Sequence, residues 1–263
     1  MQLSGAHVLV TGASRGIGAQ LAEGAAARGA EVTLVARSEG PLRERAELTG
    51  GHALPADLAD RTQRSDVVQR AEGLAGRPVD VLVNCAGVDG LAGLLDVGAE
   101  DLARLFEVNL LAPAELCRQA LPGMVERGRG HIVDVASGFS SVVAPGLVPY
   151  AASKAGLAHF HAGLRAELRG TGVGTTLVEP GPVRTRMWDD IEQHPLASRA
   201  MHRFLRLQLT ALVEPRDLAQ AVLDAVESHR RHAVLPRRMV PVLALGWLPR
   251  RVADLALVGV PRR

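Results

Sequence analysis

The chain is poor in several residue types that usually carry chemistry. Its 263 residues include one tyrosine, one lysine and two cysteines, and aromatic residues make up 3% of the whole. Two cysteines, Cys85 and Cys117, provide no disulfide framework, and such a chain suits a reducing, cytoplasmic setting. The formal net charge of +2 leaves no excess of one sign to neutralise a nucleic-acid backbone. The opening MQLSGAHVLVTG has neither a charged n-region nor a long apolar core, so it does not read as a secretion signal. What is abundant is apolar: 47% of residues are hydrophobic, enough for one large α/β core and too few residues for two ordinary domains.

The scarcity makes one pair conspicuous. The basic residues are 29 arginines and a single lysine, yet the only lysine, Lys154, lies four positions after the only tyrosine, Tyr150. Chance places two single residues so on the order of once in a few hundred chains of this composition. Some chemistry requires both.

Short β-branched runs alternate with longer amphipathic stretches. Strands are expected at 7–11, 31–36, 52–56, 79–84, 131–136, 174–179 and 232–236, and helices at 16–28, 39–48, 60–75, 99–127, 150–170 and 215–229. This alternation predicts a doubly wound, Rossmann-type α/β fold: about seven parallel strands in a single domain, with helices on both faces. Two stretches fall outside it, 184–213 and the tail from 237.

TGASRGIG, residues 11–18, follows the first strand and opens the first helix. Glycines there permit a tight turn and close backbone approach, and a helix amino end offers N–H groups and a positive dipole end to a pyrophosphate. Packing alone is the bland alternative. NAD-selective folds place an acid about 20 residues further on. Here the second strand ends in Arg37, whose fork suits a ribose 2′-phosphate, with Arg15 in the turn to assist. NADP(H) is therefore expected over NAD(H), against the alternative of a solvated arginine.

Taken together, TGASRGIG, NCAG (84–87), VNLLA around Asn109, VDVASG around Ser137, YAASK (150–154) and EPGPVRT around Pro180 resemble the short-chain dehydrogenase/reductase family, over roughly residues 4–236. The resemblance implies that Gly12, Ser14, Arg15, Gly16, Ile17 and Gly18 hold the pyrophosphate side of a nicotinamide dinucleotide. It implies that Asp57 and Leu58 flank the adenine and that Asn84, Ala86 and Gly87 line the centre of the cofactor. Pro180, Gly181, Val183 and Thr185 would hold the carboxamide end. Ser137, Tyr150 and Lys154 would be catalytic, Lys154 also holding the nicotinamide ribose, with Asn109 supporting a water-linked proton path. Members are commonly homo-oligomers.

The chemistry suits those residue types. Reducing a ketone builds negative charge on oxygen, which needs a positioned acid. A free phenol is a weak one near pH 7. An ammonium one helical turn away, at Lys154, is expected to make Tyr150 more acidic. Ser137 would donate to the substrate oxygen, with Ser140 or Ser141 as rival claimants. An asparagine inside a helix, Asn109, is expected at a kink.

Segment 184–213 is expected to be a substrate lid, with Met187, Trp188, Met201, Phe204 and Leu205 either walling an apolar pocket or packing the lid itself. His194 and His202 show no metal-ligand spacing. The tail 237–263 carries apolar stretches between arginine pairs. Residues 239–249 are too short, and too rich in proline, to span a bilayer. Arginine-flanked apolar segments with Trp247 suit a membrane interface, and the resemblance extends to members acting on steroids, retinoids and other lipids whose carboxyl-terminal segments dock there. Otherwise the tail caps the pocket or meets a partner subunit. The reading is an NADP(H)-dependent oxidoreductase for a hydrophobic carbonyl or alcohol. Its rivals are 3-oxoacyl-thioester reduction and, from another class, a nucleotide-sensing protein without turnover.

Overall fold

The computed structural model describes residues 1–90 and 94–244. Seven parallel strands form one sheet in the order β3-β2-β1-β4-β5-β6-β7. They are β1 His7–Thr11, β2 Glu31–Ala36, β3 His52–Pro55, β4 Val81–Asn84, β5 Gly130–Val135, β6 Val173–Pro180 and β7 His232–Leu235. Side chains on a strand alternate between faces, and β1 shows it: Val8 and Val10 enter the core on one side of the sheet, Leu9 the core on the other.

The first of these cores is covered by α1 (Gly16–Ala27), α2 (Glu39–Thr49) and α10 (Pro215–Glu227). The second lies under α4 (Val67–Ala75), α6 (Ala112–Glu126) and α7 (Val148–Glu167). The remaining helices are α3 (Arg61–Arg64), α5 (Ala99–Phe106), α8 (Arg186–Gln193), α9 (Pro195–Arg206) and α11 (Val240–Ala244). Strand order turns between β1 and β4, and in such sheets ligands gather beyond the carboxyl ends at that point.

Two expected helices are broken, each for a local reason. The stretch 60–75 divides because the Asp60 carboxylate accepts the Thr62 and Gln63 amides, at 2.8 and 3.3 Å, and starts a helix that stops at Ser65. The stretch 99–127 is interrupted by a π turn at Glu107–Leu111, centred on buried Asn109.

Segment 184–213 folds into α8 and α9. Its two ends are pinned together, since Arg184 N–H donates to Val213 O and Val213 N–H to Pro182 O, both at 2.9 Å. After β7 the chain makes a 3-10 turn at Arg237–Met239 and enters α11. The rest of the tail, 245–263, with Trp247, lies outside the described residues. Among the described residues no helix is long and apolar enough to cross a membrane.

Candidate active site

One end of the site is made of backbone. Thr11, at the tip of β1, accepts the N–H groups of Cys85 and Ala86, both at 3.0 Å, and donates to Val83 O at 3.3 Å. This ties the loop after β4 to the glycine turn. Gly12 takes φ +70°, and a Cβ there would lie 2.8 Å from the Ala86 Cα, so a side chain is excluded twice over. No side chain caps the amino end of α1, and its first turn holds no acid. Ser14, Arg15, Gly16, Ile17 and Gly18 therefore surround uncapped N–H groups and a positive dipole end, which is what a pyrophosphate requires. A Cβ on Gly16 would stand 3.3 Å from Thr185 Cγ2, so the turn abuts the loop after β6.

Arg37 is exposed at the end of β2. Its charge acts on Asp57, which also takes Arg104 Nη2 at 2.9 and 3.2 Å. Burial raises the Asp57 pKa, but the Arg104 hydrogen bond, the Ala59 amide and the two guanidinium charges outweigh it and hold the carboxylate ionised. Arg104 went unnoticed in the sequence, because nothing local links α5 to β3.

The centre of the site lies where β5 meets α7. Ser137 follows β5 in extended conformation and accepts the Phe139 amide at 3.2 Å. Its hydroxyl also hydrogen-bonds the Tyr150 phenol. Ser140 is otherwise engaged, donating to Lys154 O at 3.2 Å. Ser137, Tyr150 and Lys154 all line one cleft, together with Ile17, Gly87, Pro180, Gly181, Val183 and Thr185.

The electrostatics depart from the expected acidic tyrosine. Burial pushes the phenol up to about 12; the Ser137 hydrogen bond pulls the other way and the Asp89 charge adds to the rise. Lys154 is not what tunes it here, for its amine is turned to Val135 O at 2.9 Å. Burial pulls that amine down to about 8, against the charges of Cys85 and Asp134. The phenol thus holds its proton firmly, as a donor should before charge develops on a substrate.

Three expected site residues sit elsewhere or act differently. Asn84 does not line the cleft: its side chain lies within the sheet and donates to Asp134 Oδ1 at 2.7 Å. The Leu58 side chain is buried in the core beneath α4, leaving only its backbone near the surface. Asn109 does mark a kink, but its amide is occupied by protein. Oδ1 accepts the Val88 amide at 2.9 Å, and Nδ2 donates to Val88 O and Ser153 Oγ at 2.9 and 3.0 Å. It therefore fixes the loop carrying Ala86 and Gly87. A Cβ on Gly87 would lie 3.4 Å from both Asn109 Oδ1 and Lys154 Nζ, which shows how closely this loop approaches the lysine.

The other end is a cavity of about 180 Å³ with apolar walls. Met187, Trp188, Met201 and Phe204 line it, as the lid reading required. Leu205 packs behind them. Sequence reasoning missed Phe139, Val142, Leu147, Ile191, Leu209, Met239 and Leu243. Met239 is buried where Thr210 Oγ1 donates to its sulfur at 3.1 Å, and it touches Gly138 and Gly181, so the start of the tail closes the pocket. His194 caps α9, its Nδ1 accepting the Ala197 amide, and His202 pairs with Glu192.

Comparisons with known proteins agree with this geometry. Residues 6–196 match the family described as short chain dehydrogenase. The ketoacyl reductase HetN of Nostoc sp. is 35% identical over 246 residues, covering 89% of this chain and 79% of that protein. A short-chain dehydrogenase from Sphingobium yanoikuyae, solved in complex with NADPH, aligns with a TM-score of 0.76 at 29% identity over 98% of this chain and 97% of its own. One from Burkholderia phymatum, in complex with NAD, gives 0.81 at 25% identity over 98% and 96%.

Proposed function

The chain belongs to the short-chain dehydrogenase family of oxidoreductases, and on that premise we propose that it interconverts a ketone and a secondary alcohol on a bulky apolar substrate, using NADP(H). The observation that carries this reading is a hydrogen-bonded Ser137–Tyr150 pair, beside Lys154, in a cleft apolar at one end and bounded by the glycine turn at the other.

The bound dinucleotide supplies the hydride, or takes it in the reverse direction. This chain's residues do the rest. Gly12, Gly16, Gly18 and the uncapped amino end of α1 receive the pyrophosphate, and Arg37 meets the 2′-phosphate. The substrate carbonyl, placed by the apolar walls, takes hydrogen bonds from Ser137 and Tyr150. As charge grows on its oxygen, the phenol gives up its proton and the alcohol forms. The resulting phenolate is held by Ser137 and by the Lys154 ammonium, until solvent returns the proton. Asn109 acts through the Val88 loop, keeping Gly87 beside the lysine.

A second reading, reduction of a 3-oxoacyl thioester, is favoured by the likeness to a protein named as a ketoacyl reductase. A panel of bulky ketones against acyl thioesters, followed by NADPH absorbance, separates the two. We further read the protein as a cytoplasmic homo-oligomer whose tail touches a membrane surface, since Val240 is exposed beside exposed Arg237 and Arg238.

Tyr150→Phe tests the central claim. Turnover should fall about 10³-fold, within the range a general acid supplies, while NADPH affinity measured by calorimetry stays within about threefold. Loss of binding with loss of turnover would make the tyrosine structural.

A further inference from the structure

Behind the reaction centre, on the α6–α7 side of the sheet, lies a polar group that the proposed mechanism does not use. Asp134 of β5 is fully buried, as is His161 of α7, and Asn84 is nearly so. The carboxylate accepts Asn84 Nδ2 on one oxygen and His161 Nδ1 on the other, both at 2.7 Å. The next residue, Val135, offers the carbonyl that holds Lys154 Nζ. Lys154 and His161 lie seven positions apart on α7, two turns along one face, so both reach β5 at adjacent residues.

We propose that Asp134, held by Asn84 and His161, is the buried counter-charge of Lys154 and a positioning residue for it.

The hydrogen-bond pattern argues for this. With Nδ1 donating to the carboxylate, a neutral imidazole leaves a bare acceptor at Nε2. A second proton there would be a buried donor, and Nε2 meets no partner among the described residues. The histidine therefore supplies a hydrogen bond to Asp134 rather than a charge. An ionised carboxylate in a dry core needs a cation, and Lys154 is the buried cation whose charge interacts with it. The other titratable groups facing the pair cannot serve. Cys117 of α6 is a thiol that the Asp134 charge pushes further from ionising. Cys85, after β4, is likewise held as a thiol by burial. Tyr150 and Asp89, on the cleft side of Lys154, are neutral and anionic. Buried His131 acts on neither Asp134 nor Lys154.

The inference takes its catalytic meaning from the role proposed for Lys154, but its test does not need turnover. Because Lys154 is the only lysine, protein grown with 13Cε-labelled lysine gives one ε-carbon resonance, whose shift against pH reads the titration of the amine directly. Asp134→Asn removes the charge and keeps the shape. Its Lys154 midpoint should fall by about one unit from that of the unsubstituted protein, and an unchanged midpoint in a chain of native circular dichroism overturns the proposal. His161→Gln keeps the carboxylate, so its midpoint should stay or rise. A fall there, whether or not the Asp134 variant folds, would mean that packing rather than charge sets the lysine, and would overturn the proposal too. If the midpoint follows Asp134 but Lys154→Met retains full activity, this inference stands and the reading of the site fails.

Discussion

The two ends of the cleft are built by opposite means. The end beside α1 is made almost wholly of backbone: glycines without side chains, uncapped N–H groups and a threonine that spends its hydroxyl on two amides. The end beneath α8 and α9 is made of side chains brought from the loop after β5, from α7, from both lid helices and from the turn after β7. A phosphate is recognised by N–H groups at fixed positions, so its site is a contiguous run of sequence. An apolar cavity asks only for bulk at the right places, so its walls come from wherever the fold has a spare face.

Tests of this contrast follow in order of expected size. Lys154 stands at the junction of the two ends. Its folded-state pKa is about 8, below the ordinary 10.5. Below pH 8 the buried ammonium costs the fold on the order of 3 kcal/mol. Between pH 8 and 10.5 the folded chain sheds its proton before the unfolded chain does, so that cost is relieved, and above 10.5 it is gone. Cys85, Cys117 and Tyr150, all raised, work in the opposite direction above their own ordinary values. The measurement is therefore the difference in urea stability between wild type and Lys154→Met, in which their effects cancel. Wild type should gain on the variant as pH rises through that window. A flat difference would mean the lysine is solvated.

At the backbone end, Gly12→Ala should cost about 2 kcal/mol of stability, through its positive φ and the contact with Ala86, and should weaken NADPH binding at least tenfold by the same displacement. Calorimetry would show this, and unchanged binding would mean the turn serves packing alone. Arg37→Glu should shift the ratio of NADPH to NADH affinities about tenfold towards NADH. An unmoved ratio would remove Arg37 from the cofactor end. At the side-chain end, Trp188→Ala or Phe204→Ala should lower kcat/KM for a bulky ketone severalfold and leave NADPH binding unchanged. A drop in cofactor affinity instead would show that the two ends are not separately built.

The strands were legible because β-branched runs between helix-length segments admit few other arrangements. The breaks were less so. The division of 60–75 at Ser65 depends on which way one Asp60 carboxylate turns. The π turn at Asn109 depends on Val88, 21 residues away, meeting that amide. Among site residues, Tyr150, Lys154 and Ser137 were visible through rarity and motif. Asn84 carried the same motif, yet its side chain points into the sheet, because the strand's alternation places it opposite Asp134. Met239 gave no local signal, since its sulfur meets Thr210 and two glycines from three separate segments.

The order of residues by itself determined the parallel α/β sheet, the glycine turn and the pairing of one tyrosine with one lysine on a helix face, because each of these is a periodicity or spacing within a single segment. Tertiary structure alone decided that the phenol keeps its proton, that a carboxylate lies buried behind the lysine, and that the beginning of the tail closes the pocket. Burial and charge depend on what surrounds a group in three dimensions, and here those surroundings come from strands and helices far apart in the chain.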